Sequence, residues 1–319
     1  MIMKRVIIVF CIIIVLLLGG GLFAGNYLYD LAMNNTIDKG TVFGAEHNAI
    51  ASDELEESKQ EKIKNEQWLV DTGYTNEYIT AFDDLRLHAY QIMNEKRKNK
   101  WVVICHGYAS HAKSMLNAAK QFYNMGFNVL LPDARGLGES EGDYIGMGWH
   151  ERRDIVQWTA GIVANHPQAE IVLYGVSMGG ATVMMASGEA DLAKNVKVVV
   201  EDCGYSSVKG EFAYQLNELF GLPAFPLLNF ASIMTKIRAG FWIGEADVTK
   251  QLNKSNRPTL FIHGDADTFV PYSMLDEVYN ALDAPKEKFI VHGAGHSGAE
   301  DADRTLYWET VGGFIQQYI

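Results

Sequence analysis

Six short apolar runs decide most of what this chain can fold into: Trp101–Cys105, Val129–Leu131, Ile171–Tyr174, Val196–Val200, Thr259–Ile262 and Phe289–Val291. Each is rich in β-branched residues and nearly continuous, without the polar alternation of a half-exposed strand. Such a strand has no face to offer to water and belongs in a sheet covered on both sides. Between the runs lie stretches with apolar residues at helical spacing, including His111–Asn124, Trp149–Asn165 and Met178–Glu189. The alternation predicts an α/β fold with a mostly parallel central sheet and helices on both faces. Upstream, Glu77–Thr80 and Leu85–Ile92 alternate around Asp83-Asp84, which predicts a β-hairpin.

The N-terminus obeys a different solvent. From Val6 to Gly25 no residue is charged, and Lys4 and Arg5 precede the run. Some twenty apolar residues are long enough to cross a bilayer as a helix. The run ends Leu22-Phe23-Ala24-Gly25, a poor cleavage site, so an uncleaved signal-anchor is expected rather than a removed leader. Lys4 and Arg5 hold the N-terminus in the cytoplasm, which makes the protein a single-pass protein of the cell membrane with its catalytic domain extracytoplasmic. The expected organisation is an anchor over residues 1–25, a solvated stem over 26–66 and a folded domain over 67–319. Removal of residues 1–30 is expected to leave a soluble, active domain. The net charge of −12 repels phosphate backbones and sets nucleic-acid binding aside. Three cysteines make no disulfide framework, and Cys105 and Cys203 read as buried strand residues.

Gly175-Val176-Ser177-Met178-Gly179 follows an apolar strand and opens a helical stretch. A nucleophile on such a sharp turn needs glycines on either side, because side chains there would clash. A serine hydroxyl needs a base. His296, in the glycine-rich loop after the last strand, is the candidate. His292 lies nearer the strand and is expected to point into packing, while His263 is expected to make a structural hydrogen bond. The acid that orients the imidazole should lie between serine and histidine, after another strand. Asp265 and Asp267 compete. Asp267 lies deeper in its loop and is preferred, with Asp265 rigidifying the turn; Asp202 is a weaker third candidate. A developing oxyanion needs donors, and the backbone N–H groups of Met178 and Tyr108 are placed to supply them.

These motifs in this order resemble the α/β-hydrolase superfamily over about residues 70–319, and look most like membrane-anchored bacterial serine hydrolases of the BEM46-like and prolyl-oligopeptidase-type branches. The marks are His106-Gly107, Asp133-Ala134-Arg135-Gly136-Leu137-Gly138, the Ser177 motif, Asp267 ahead of Val270-Pro271, and Gly295-His296. The resemblance implies a Ser177–His296–Asp267 triad working without metal or organic cofactor, and a structural role for the Arg135 loop. The long segment 203–255, rich in Phe and Leu, is then expected to be a helical cap whose apolar inner face takes a small hydrophobic or acyl ester. Asp202 and Tyr205 are candidate lining residues. The leading expectation is a carboxylesterase or lipase-like enzyme. A peptidase or amidase with the same triad, and a non-catalytic binding protein on the same fold, are the alternatives.

Overall fold

The computed structural model describes residues 2–37, 39, 52–94 and 99–319. Eight strands form one sheet: β1 (Thr75–Thr80), β2 (Arg86–Ile92), β3 (Lys100–Cys105), β4 (Asn128–Pro132), β5 (Glu170–Val176), β6 (Val196–Asp202), β7 (Thr259–Gly264) and β8 (Lys286–Val291). Their spatial order is β1-β2-β4-β3-β5-β6-β7-β8. The first two strands are the antiparallel hairpin that the Asp83-Asp84 punctuation predicts, with Asp84 at φ 67°. From β4 onward every pairing is parallel.

Each of the six apolar runs lies inside one of the strands β3–β8, and the period-two direction of side chains assigns their faces. Val102, Ile104, Val172, Tyr174, Val198 and Val200 face one helix layer, which contains α3 (Leu116–Asn124) and α11 (Arg304–Gln316). Trp101, Val103, Ile171, Leu173 and Val199 face the other way, toward α4 (Glu151–Asn165). Helices α5 (Met178–Ser187), α8 (Val248–Leu252) and α9 (Ser273–Ala281) cover the sheet as well, and α10 (Ala299–Ala302) leads into α11. Between β6 and β7, α6 (Val208–Phe220) and α7 (Ala224–Ala239) build the helical cap. The Arg135 loop is held from inside: Arg135 is fully buried, grips Asp154 through Nε and Nη2 at 2.9 and 2.7 Å, and reaches Asp83 at 2.7 Å.

The N-terminal elements depart from the expected anchor-and-stem division. Helix α1 runs unbroken from Ile2 to Ala32, through the boundary expected at residue 25. Residues 3–20 are exposed throughout, and the helix is long and apolar enough to cross a membrane. Its last turns are not a solvated stem. Tyr29 and Met33 are 3% and 1% exposed and join the core cluster beneath the cap. Gly21 and Gly25 let α7 approach: a Cβ on Gly21 would lie 2.2 Å from the Phe230 ring, and one on Gly25 would lie 2.5 Å from the Phe230 backbone. The rest of the expected stem contains α2 (Ser52–Thr72), whose end docks through buried Asn65 and Leu69. Residues 38 and 40–51 of that stem lie outside the described residues.

Candidate active site

Ser177 sits between β5 and α5 at φ 57° and ψ −119°, a backbone conformation that non-glycine residues avoid. The turn closes only because its flanks are glycine. A Cβ on Gly175 would lie 2.2 Å from the Gly179 carbonyl oxygen, and one on Gly179 would lie 2.1 Å from that of Cys105. The Ser177 N–H donates to the Asp202 carbonyl at 2.8 Å, which pins the turn to the end of β6.

Two loops at the same edge of the sheet complete the constellation. His296 Nε2 lies 2.9 Å from Ser177 Oγ, and His296 Nδ1 lies 2.7 Å from Asp267 Oδ2. Asp267 Oδ1 accepts the N–H groups of Phe269 and Val270 at 2.8 and 2.9 Å. His263, at the end of β7, brings Nε2 within 3.2 Å of Asp267 Oδ2 and 3.1 Å of the Val270 carbonyl. Burial acts to raise the Asp267 pKa. The hydrogen bonds from His263 and His296 outweigh it and hold the carboxyl well below the usual carboxylate range. The arrangement keeps an ionised acid behind an imidazole that faces a serine hydroxyl, the geometry required for proton transfer from Ser177.

The competing residues go elsewhere. Asp265 accepts from the Gly293 N–H and pairs with His292, both at 2.7 Å, and so rigidifies the loop turn. His292 does not point into packing as expected; its side chain is 85% exposed, because Gly293 at φ 78° turns the chain outward there. Asp202 accepts from Tyr307 Oη at 2.8 Å beneath the site and does not line the cavity, whereas Tyr205 does. Cys105 and Cys203 are buried and unpaired with each other. Cys203, Asp267 and His296 bring potential metal-ligand atoms within 4.8 Å of one another. Asp267 and His296 are already committed to each other and to the loop. Burial pushes the Cys203 thiol pKa well up, against the thiolate that a metal requires. A metal would therefore have to break the hydrogen-bonded chain.

The two expected backbone donors flank Ser177. Met178 opens α5, where an N–H has no carbonyl one turn back to bond. On the other side, a Cβ on Gly107 would lie 3.6 Å from Ser177 Cβ, so the loop carrying Tyr108 passes directly over the serine. His106 fixes that loop. Its Nε2 accepts from the Ala134 N–H at 3.0 Å and its Nδ1 lies 2.8 Å from the Gly107 carbonyl, so Nδ1 carries the proton. Burial lowers the pKa of this ring, which keeps it neutral.

An apolar cavity opens beside Ser177, the kind of concave, mostly apolar setting in which small-molecule sites occur. Its walls are apolar apart from a few groups, of which Glu211 and Gln215 of α6 face each other at 3.0 Å. Burial pushes Glu211 up to about 7, against the lowering effect of the Gln215 hydrogen bond. Sequence reading missed this acid, and it missed the contribution of α1. Leu28, Leu31, Ala32 and Met33 line the cavity, and the Ala32 carbonyl accepts from Tyr108 Oη at 2.6 Å. The pair Gly21-x-x-x-Gly25 at the end of the apolar run was the available signal for close helix packing.

Residues 96–200 match the family model described as serine aminopeptidase, S33. An uncharacterised protein of Bacillus subtilis, YqkD, is 29% identical over 216 residues, covering 67% of this chain and 70% of its own. An uncharacterised membrane protein of Saccharomyces cerevisiae, YNL320W, is 24% identical over 73% of this chain and 76% of its own. Among solved structures, the Pyrococcus furiosus esterase Pf2001 superposes with a TM-score of 0.63 at 23% identity, covering 78% of this chain and 92% of its own. The sheet order, the turn at Ser177 and these likenesses converge on one architecture, and the chain has the α/β-hydrolase fold.

Proposed function

We propose that the protein is a serine hydrolase that cleaves carboxylic esters through an acyl-enzyme. The observation that carries this reading is the hydrogen-bonded chain Ser177–His296–Asp267 at the edge of an apolar cavity. Ser177 Oγ attacks the carbonyl carbon and gives its proton to His296 Nε2. The alcohol leaves with that proton. Water then attacks the acyl-enzyme, His296 takes its proton and returns it to Ser177, and a carboxylic acid departs. Asp267 holds the imidazole in one tautomer and stabilises its charged form. The N–H groups of Met178 and Tyr108 bind the oxyanion of each tetrahedral intermediate.

The matched family description favours a second reading, a peptidase using the same residues. The cavity supports the ester reading, because its walls offer apolar surface rather than a row of backbone partners for a peptide. Helix α1 anchors the enzyme in the membrane, and Lys4 and Arg5 place the catalytic domain outside the cytoplasm. Labelling with a fluorophosphonate tests the nucleophile. Wild-type protein is expected to label and Ser177→Ala is not; equal labelling of both sinks the assignment. Butyryl esters against butyryl anilides then separate esterase from amidase, with ester turnover expected to dominate.

A further inference from the structure

We infer that the substrate is a lipid ester drawn from the bilayer by its acyl chain, with α1 forming a wall of the acyl pocket as well as the anchor. This inference rests on the serine-esterase reading above. The exposed residues 3–20 of α1 span about 27 Å at 1.5 Å per residue, close to the roughly 30 Å hydrocarbon core. The helix therefore leaves the hydrocarbon near Gly21. Leu28, the first α1 residue of the pocket wall, lies only about 10 Å further along the helix, at the outer limit of the headgroup layer. The pocket stands directly on the membrane surface.

The cap is oriented to match. Phe230 rests on Gly21 and Gly25, and Thr235 contacts Met33, so α7 runs alongside α1 in the same direction. The start of α7 and the turn from α6 therefore lie toward the membrane. That end carries exposed apolar side chains: Leu219 at 41%, Phe220 at 44%, Leu222 at 41% and Phe225 at 77%. From Leu219 to Met234 no residue is charged, in a chain where 21% are. Lys236 and Arg238 appear only at the far end of α7. An apolar patch of this kind is unfavourable in water and is satisfied at a bilayer interface. Leu219 and Phe220 belong both to the exposed patch and to the pocket lining. They form a continuous apolar path from the membrane surface to Ser177. An acyl chain following it exchanges lipid contacts for protein contacts without crossing water.

The test uses full-length protein in vesicles of phosphatidylcholine and phosphatidylglycerol. Two umbelliferyl esters share one leaving group: the palmitate, carried in the vesicles, and the butyrate, dissolved in water. Wild-type enzyme is expected to turn over vesicle-borne palmitate faster. Leu28→Trp narrows the pocket from the α1 side and should lower the palmitate-to-butyrate ratio by about tenfold, the factor that two lost methylene contacts are worth. Phe225→Glu, at an exposed site that tolerates a charge in the fold, should lower the rate on vesicle-borne palmitate relative to palmitate in detergent micelles. Butyrate turnover without vesicle palmitate turnover overturns the inference, as do ratios unmoved by both variants. Loss of the esterase reading itself looks different: Ser177 then fails to label with fluorophosphonate and neither ester is hydrolysed.

Discussion

Asp265 and Asp267 lie two residues apart in one loop and are chemically identical, so only their partners distinguish them. Asp267 holds His296 and is fixed by two backbone N–H groups; Asp265 pairs with the exposed His292 and the Gly293 N–H. Asp267→Asn keeps the shape but removes the charge that selects the imidazole tautomer, and should lower kcat on the order of ten-thousandfold. Asp265→Asn should leave most activity; equal losses in steady-state assays would reverse the assignment. Glu211 makes a second prediction. Its folded pKa, about 7, lies above the ordinary glutamate value of 4.5, so the native state holds the proton more tightly than the unfolded chain. The stability that follows is fully present below about 4.5 and is lost as pH rises through 7. The difference is worth about 3 kcal/mol. Glu211→Gln removes this dependence while keeping an oxygen to accept from Gln215. Its Tm relative to wild type should therefore rise between pH 5 and pH 8, and a parallel pair of Tm curves would refute the ionisation.

The strands and the cap were legible in the sequence because each is a local pattern. A run such as Ile171–Tyr174 declares a doubly covered strand by itself, and Gly175 and Gly179 declare the turn that follows it. The candidate triad was readable for the same reason, since each of its members stands in a glycine-punctuated loop after a strand. Contacts between elements distant in sequence were not legible. Nothing local says that Tyr29 will pack under the cap, that the Ala32 carbonyl will meet Tyr108, or that Glu211 will line the same pocket as residues of α1. The hydropathy of α1 obscured its second role, because apolar residues suit lipid and core alike. The packing of α1 on α7 has a direct test. Gly21→Leu would drive a side chain into the Phe230 ring and should lower Tm, whereas Gly21→Leu with Phe230→Ala should recover much of the loss. Strictly additive Tm changes would show that the two residues do not meet.

At the scale of the whole molecule, the question is where the anchor ends and the enzyme begins. Hydropathy ended the anchor at residue 25 and allowed a truncation at residue 30, whereas the packing of α1 on α7 begins at Gly21. Residues 3–20 are exposed along their whole length. Leu28, Tyr29, Leu31, Ala32 and Met33 line the pocket; Tyr29 and Met33 are buried, and the Ala32 carbonyl accepts the Tyr108 hydroxyl. Burying each of those two side chains is worth about 1.5–3 kcal/mol, a substantial share of the roughly 5–15 kcal/mol that holds a domain together. The Asp30–Arg238 pair adds little, because both partners are partly exposed. A chain beginning at Gly21 should therefore fold, label with fluorophosphonate and hydrolyse butyrate esters in mild detergent. A chain beginning at Asn34 should have a lower Tm and lose labelling, because the loop over Ser177 and the pocket wall lose their support together. If both chains label and turn over alike, α1 is a tether only, and the boundary belongs after Met33.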